Sequence, residues 1–201
     1  NLFASFPSIS VDNNGYAHIA YNDIIPPGDV DQQVYYSKVI GGNVELNIRI
    51  SESIGATGRS DIAVDNNNGI HVVWSEEKEA YNEYYLYYSK LDGNGNILVN
   101  NRKVSEVEEL TINPAIVATN NVHVIWKGNN NDLDAILYRK LSINGNLLGF
   151  EKTITKSMAP IIFPTFDKDS NDNFFVAYQS MILDDFIYYK KVDKNIRVII
   201  P

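Results

Sequence analysis

The sequence predicts an all-β fold, a β-propeller of four blades with four antiparallel strands in each. Three observations predict it. A turn that runs into a short strand recurs as DNNGYAHIAY (12–21), DNNNGIHVVW (65–74), TNNVHVIW (119–126) and DSNDNFFVAY (169–178). Two separate anchors keep one period: His18, His71, His123 and Phe175 lie 53, 52 and 52 residues apart, and Tyr36, Tyr88, Tyr138 and Tyr189 lie 52, 50 and 51 apart. No segment sustains a 3.6-residue apolar period, so no helix is expected. A repeated unit of about 50 residues with four strands is blade-sized.

Each blade is read in the same order. Strand A falls at 8–11, 61–64, 115–118 and 165–167. Strand B follows at 17–21, 70–74, 122–126 and 174–178, and is apolar on both parities, as a sheet covered on both faces requires. Strand C falls at 34–39, 84–91, 136–141 and 186–192, and strand D at 44–51, 97–105, 147–155 and 196–200. Asn and Gly fill the turns, for instance Asn13-Asn14-Gly15 and Asp92-Gly93-Asn94-Gly95-Asn96, because they tolerate positive φ. The blades divide at about 1–53, 54–106, 107–157 and 158–201, within one propeller domain. A ring closed within the chain is the first expectation, and an arc of a larger propeller the alternative.

Composition narrows the partners. The chain of 201 residues carries a formal charge of −8 and has a pI near 4.8. An acidic surface argues against nucleic acid and anionic lipid. No apolar run is long enough for a membrane span. The absence of cysteine excludes disulfides and thiol chemistry. No signal peptide is visible, and a start at Asn1 reads as a processed or excised chain.

The pattern D-x-N-x-G-x-H-V-V-W, then Y-Y-S-K, then D-G-N-G-N resembles the BNR/sialidase-like superfamily. That resemblance implies a secreted or cell-surface propeller. The strict Asp-box, S/T-x-D-x-G-x-T-W, is not matched, since His71 stands where a hydroxyl residue belongs. Sialidase activity would need three clustered arginines. Of Arg49, Arg59, Arg102, Arg139 and Arg197, only Arg59 lies at the entrance to a strand A. No catalytic residue is therefore carried over, and the chain is expected not to be an enzyme.

Four groups are candidate sites. His18, His71 and His123 have the residue types of a zinc site, but Phe175 fills the fourth slot, so packing is expected. The strand-B aromatics Tyr21, Trp74, Trp126 and Tyr178 are likewise expected to pack between blades. The run Asp167, Asp169, Asn171, Asn173 alternates oxygen ligands as calcium loops do, but lacks their glycine and bidentate acid. It is read as a polar turn, with calcium as the alternative and no other cofactor.

The B–C loops (22–33, 75–83, 127–134 and 179–185) vary between blades and are rich in acid. Asp29, Asp31, Glu76, Glu77, Glu79, Asp132, Asp134, Asp184 and Asp185 are the expected partner-binding residues there, suited to a cationic partner. The expected function is a non-catalytic binding module for protein or glycan. The alternatives are an assembly unit completed by oligomerisation and a glycoside hydrolase with an unrecognised carboxylate pair.

Overall fold

The computed structural model describes residues 4–24, 31–52, 55–78, 83–106, 111–181, 185–193 and 195–200. The side chains of 185 and 198–200 are outside that description. Four sheets of four antiparallel strands follow one another in strict sequence order, which makes the expected four-bladed propeller. Blade 1 holds β1 (Ser5–Val11), β2 (Ala17–Asp23), β3 (Gln33–Ile40) and β4 (Asn43–Arg49). Blade 2 holds β5 (Thr57–Val64), β6 (Ile70–Glu77), β7 (Tyr84–Leu91) and β8 (Ile97–Lys103). Blade 3 holds β9 (Ile112–Ala118), β10 (Asn121–Asn130), β11 (Leu133–Ser142) and β12 (Leu147–Ser157). Blade 4 holds β13 (Ile161–Lys168), β14 (Phe174–Met181), β15 (Asp185–Val192) and β16 (Val198–Ile200).

Each sheet has two faces, and they differ in what they touch. The leading face of blade 2, with Ile62, Val72 and Trp74, packs on the trailing face of blade 1, with Ala20, Val34 and Tyr36. Blade 3 repeats this with Ile116, Val124 and Trp126 on Val73, Leu86 and Tyr88. Blade 4 does so with Phe166, Val176 and Tyr178 on Ile125, Ile136 and Tyr138. The period-2 geometry of a strand sends alternate side chains to alternate faces, so one strand B serves two interfaces. Trp74, Trp126 and Tyr178 pack here, as expected, whereas Tyr21, on the leading face of blade 1, is only partly buried and stacks on Tyr35 of its own blade.

The turns are hydrogen-bond staples. Asp65 Oδ1 accepts from the backbone N–H groups of Asn67 and Gly69 at 2.7 and 2.8 Å. Asp12, Asp92, Asp169 and Asp193 each do the same two and four residues on. The fourth position of these loops takes positive φ: Gly15, Asn68, Gly95, Asp172 and Ile196. The abundance of Asn and Asp follows from this one loop, since their short side chains satisfy the backbone locally.

The structure corrects two expectations of extent. Strand A begins three or four residues earlier than the sequence pattern indicates, at Ser5, Thr57, Ile112 and Ile161. The B–C connection of blade 3 is not a loop over 127–134. β10 and β11 run on to Asn130 and Leu133, leaving only Asn131 and Asp132, both at positive φ, as a tight turn. The strand-C tyrosines Tyr36, Tyr88 and Tyr138 are buried, at most 2% exposed.

Candidate active site

The four innermost strands share one irregularity. Their pairing with strand B slips between Ser5 and Ser8, between Thr57 and Ser60, between Ile112 and Ala115, and between Ile162 and Thr165. Phe6, Arg59, Asn113 and Phe163 stand at these bulges. Three are followed by proline (Pro7, Pro114, Pro164), which has no N–H to lose from the ladder. Phe6, Asn113 and Phe163 have φ of 51°, 51° and 50°. A left-handed backbone costs a residue with a Cβ about 1–2 kcal/mol. Such strain persists where the surroundings hold it, and it collects at functional sites.

The bulges open a cavity of about 370 Å³, to which all four inner strands contribute. Its lining includes Ser8, Arg59, Asp61, Asn113, Phe163 and Thr165. The Arg59 guanidinium lies over two rings, 5.7 Å from the centre of Phe6 and 5.4 Å from that of Phe163. Both rings are about half exposed, at 45% and 53%. They present apolar faces beside a cation, the combination that grips a sugar ring and its polar edge.

Asp61 is the carboxylate of this cavity. Its Oδ1 accepts from the Ser8 hydroxyl at 2.5 Å and from its neighbour Ile62 N–H at 2.9 Å. Its Oδ2 accepts from Ile116 N–H of blade 3 at 2.9 Å. One side chain thus ties blades 1, 2 and 3 together. Burial pushes its pKa up, against the lowering effect of these hydrogen bonds and of Arg59. The Ser8 hydroxyl can turn from donor to acceptor when Asp61 is protonated, so both charge states are accommodated.

The acids expected to bind a partner are not brought together as one free surface. Asp134 Oδ2 accepts from Ile161 N–H at 2.8 Å and pairs with Lys127 Nζ at 3.2 Å, joining blade 3 to the inner strand of blade 4. Glu76 Oε2 accepts from the Trp74 indole at 3.2 Å. Asp31 and Glu77 are half-buried, and Asp132 is exposed at the tip of its turn. Asp29, Glu79 and Asp184 lie outside the described residues, as does the side chain of Asp185.

The histidines form buried pairs on the trailing faces. His18, His71 and His123 Nδ1 lie 2.7, 2.7 and 2.8 Å from the hydroxyls of Tyr36, Tyr88 and Tyr138. His71 Nε2 also meets Asp65 Oδ2 at 3.0 Å. Burial depresses the imidazoles, His123 to about 4. For Asp65, burial acts upward, but the bonds from His71, Gly69 and Asn67 outweigh it and hold the carboxyl at about 2. Among the described residues, no group of three or more His, Asp or Glu is placed to hold a metal. In the candidate calcium run, Asp167 Oδ1 accepts from Lys168 N–H, and Asp169 closes its own turn onto Asn171 and Asn173.

Sequence reasoning missed most of this cavity. It noted Arg59 and passed over Phe6, Asp61, Asn113 and Phe163. One signal was present: an X-Pro step at the same place in three blades, just ahead of strand A.

No protein-family model matches the chain, and no curated protein sequence matches it. Solved structures do. One is an alpha-L-arabinanase from Penicillium chrysogenum in complex with arabinobiose, with a TM-score of 0.72 at 9% identity. A second is an alpha-L-arabinofuranosidase from Fusarium graminearum with an iminosugar inhibitor, at 0.72 and 10%. A third is an ulvan lyase of a new polysaccharide lyase family, at 0.67 and 14%. They match 94%, 96% and 95% of this chain, which spans 62%, 64% and 52% of theirs. The likeness shows the propeller fold. It also corrects two expectations together, the non-catalytic binding module and the absence of enzyme activity. The proteins named here with this fold are an arabinanase, an arabinofuranosidase and a polysaccharide lyase, so a lack of sialidase-type arginines does not argue against enzyme activity.

Proposed function

We propose that this chain is a carbohydrate-active propeller that cleaves glycosidic bonds, with the cavity at the bulged inner strands as its reaction centre. The observation that carries the proposal is the convergence, at four bulges, of the Asp61 carboxyl, a cationic Arg59 and two half-exposed phenylalanine faces. The aromatic faces hold a sugar, Arg59 binds its oxygens, and Asp61 protonates the leaving oxygen. A carboxyl whose pKa burial has raised suits that last role. Hydrolysis uses a pair of carboxyl groups. Glu77 stands at the same end of blade 2 as Arg59, next to the residue that β6 pairs with Thr57, and is the candidate for the second. The solved neighbours support a glycan substrate, and arabinan is the first to test. The sialidase-like resemblance supports the fold of this reading and adds no residue to it. A polymeric substrate also implies a protein exported to meet it, so the proposal carries an extracellular or cell-surface location.

The test is incubation of the purified chain with arabinan, arabino-oligosaccharides and ulvan, with products read by chromatography and mass spectrometry. A hydrolase releases saturated sugars, and a lyase releases unsaturated ones. Asp61→Asn should abolish turnover while the thermal melt stays cooperative. Arg59→Ala should raise KM more than it lowers kcat. Cleavage that survives Asp61→Asn unchanged would put the chemistry elsewhere, and no cleavage of any of the three would sink the arabinan-and-ulvan reading.

A further inference from the structure

The three interfaces inside the chain use up the trailing faces of blades 1, 2 and 3 and the leading faces of blades 2, 3 and 4. The leading face of blade 1 and the trailing face of blade 4 remain. On the leading side, Ile62, Ile116 and Phe166 are 5%, 5% and 8% exposed, while Ile9, at the same place in blade 1, is 63% exposed. On the trailing side, Val34, Leu86 and Ile136 are fully buried, while Ile187, at the same place in blade 4, is 75% exposed. Tyr36, Tyr88 and Tyr138 are buried, and their counterpart Tyr189 is 60% exposed. Phe175 replaces the buried histidine and is 37% exposed.

Polar latches of one kind span the first two interfaces and are not repeated by the counterparts Lys140 of blade 3 and Lys191 of blade 4. Lys38 donates to Gly93 O of the next blade at 2.6 Å, and Lys90 to Ile143 O at 2.8 Å. Lys191, at the corresponding position in blade 4, folds back within its own blade, 3.7 Å from Asp169 Oδ2 and over the Phe175 ring at 5.1 Å.

We infer that the trailing face of blade 4 docks the leading face of blade 1 of a second copy of this chain. Ile9 and Tyr21 of one copy would sit on Ile187, Tyr189 and Phe175 of the other, in the arrangement that Ile62 and Trp74 adopt on Val34 and Tyr36. Lys191 would then swing to the β3–β4 turn of the copy. A second copy fits because the chain makes this contact three times within itself and leaves one half of it exposed on blade 1 and the other on blade 4. Such a contact is head-to-tail. It closes into a ring if the blade curvature allows, and otherwise extends.

The test is sedimentation equilibrium of the 201-residue chain over a wide concentration range, with two single substitutions at exposed positions, Ile9→Lys and Ile187→Lys. The wild type should associate, and each variant alone should stay monomeric with an unchanged melt. An equimolar mixture of the two variants should form a one-to-one dimer, because each retains the face that the other lacks. A wild type that stays monomeric throughout overturns the inference, and so does a mixture that does not dimerise. Association untouched by either substitution places the interface elsewhere and overturns it as well.

Discussion

Leu86 and Ile187 hold the same position on strand C of blades 2 and 4. Leu86 is fully buried against Trp126 and its neighbours in blade 3, and Ile187 is three-quarters exposed. The sequence around them is nearly the same repeat. The repeat dictates two sticky faces per blade, and what a position contributes depends on whether another blade lies against it. This is the nearest-neighbour energetics of repeat architectures, in which each interface adds its own term.

The largest effect should come from breaking that comparison directly. Leu86→Ala removes a fully buried side chain from an interface and should cost about 2–5 kcal/mol. Ile187→Ala, measured on the monomer, should change stability by no more than about 0.5 kcal/mol. Urea denaturation of the two variants settles it. Equal losses would mean that blade 4 is covered in solution.

The second expected effect is acid sensitivity confined to the first three blades. Burial favours the neutral imidazole, so the His123 pKa falls from 6.5 to about 4 on folding. The unfolded chain therefore binds more protons between those values. The contribution is complete above pH 6.5 and is lost as pH falls toward 4, a change of roughly 3 kcal/mol at most. His18 and His71 shift in the same direction. Blade 4, with Phe175, adds nothing to it. Denaturation across this pH window should show the loss, and His123→Phe should flatten the slope.

A smaller effect separates the two kinds of trailing face. His71→Phe leaves the buried Tyr88 hydroxyl and the Asp65 carboxylate without their partner, and should cost about 1–3 kcal/mol. The reverse change in blade 4, Phe175→His, places an imidazole beside the exposed Tyr189 and should be close to neutral. A His71→Phe variant as stable as wild type would show that the histidines serve packing volume alone.

The same contrast explains what could be read from the sequence. The blades were legible because the period-2 strands and the Asx turns repeat with their residue types intact, down to the His–Tyr pair. The site was not, because it lies where the repeat is broken on purpose. Pro7, Pro114 and Pro164, and the left-handed residues before them, interrupt the alternation that marks a strand, so the first half of each strand A read as a connection. Phe6, Arg59, Asn113 and Phe163 share a position but not one residue type, so no repeated residue marks them. Asp61 sits in a repeating strand, where its counterparts Ser8, Ala115 and Thr165 give no hint of a carboxylate. The acidic loops drew attention through charge. Yet Asp134 and Glu76 use that charge to satisfy neighbours, and no sequence pattern distinguishes a satisfied acid from a free one.

The smallest expected effect concerns the turn at Asp169. If it is the same staple as the others, calcium has nothing to gain there. Asp169 Oδ1 accepts from Asn171 and Asn173 N–H at 2.8 and 2.9 Å, and Oδ2 accepts from the Asn173 amide at 2.8 Å. Asp92, in a loop between strands C and D, makes the same set of bonds with Asn94 and Asn96. A carboxylate with both oxygens committed, and with Lys191 nearby at 3.7 Å, offers a cation less than an open calcium loop does. The melting temperature should therefore be the same in calcium and in chelator. A calcium-dependent rise that Asp169→Asn removes, and that Asp92→Asn leaves intact, would make the fourth blade's loop a metal site and set it apart from the staple it otherwise repeats.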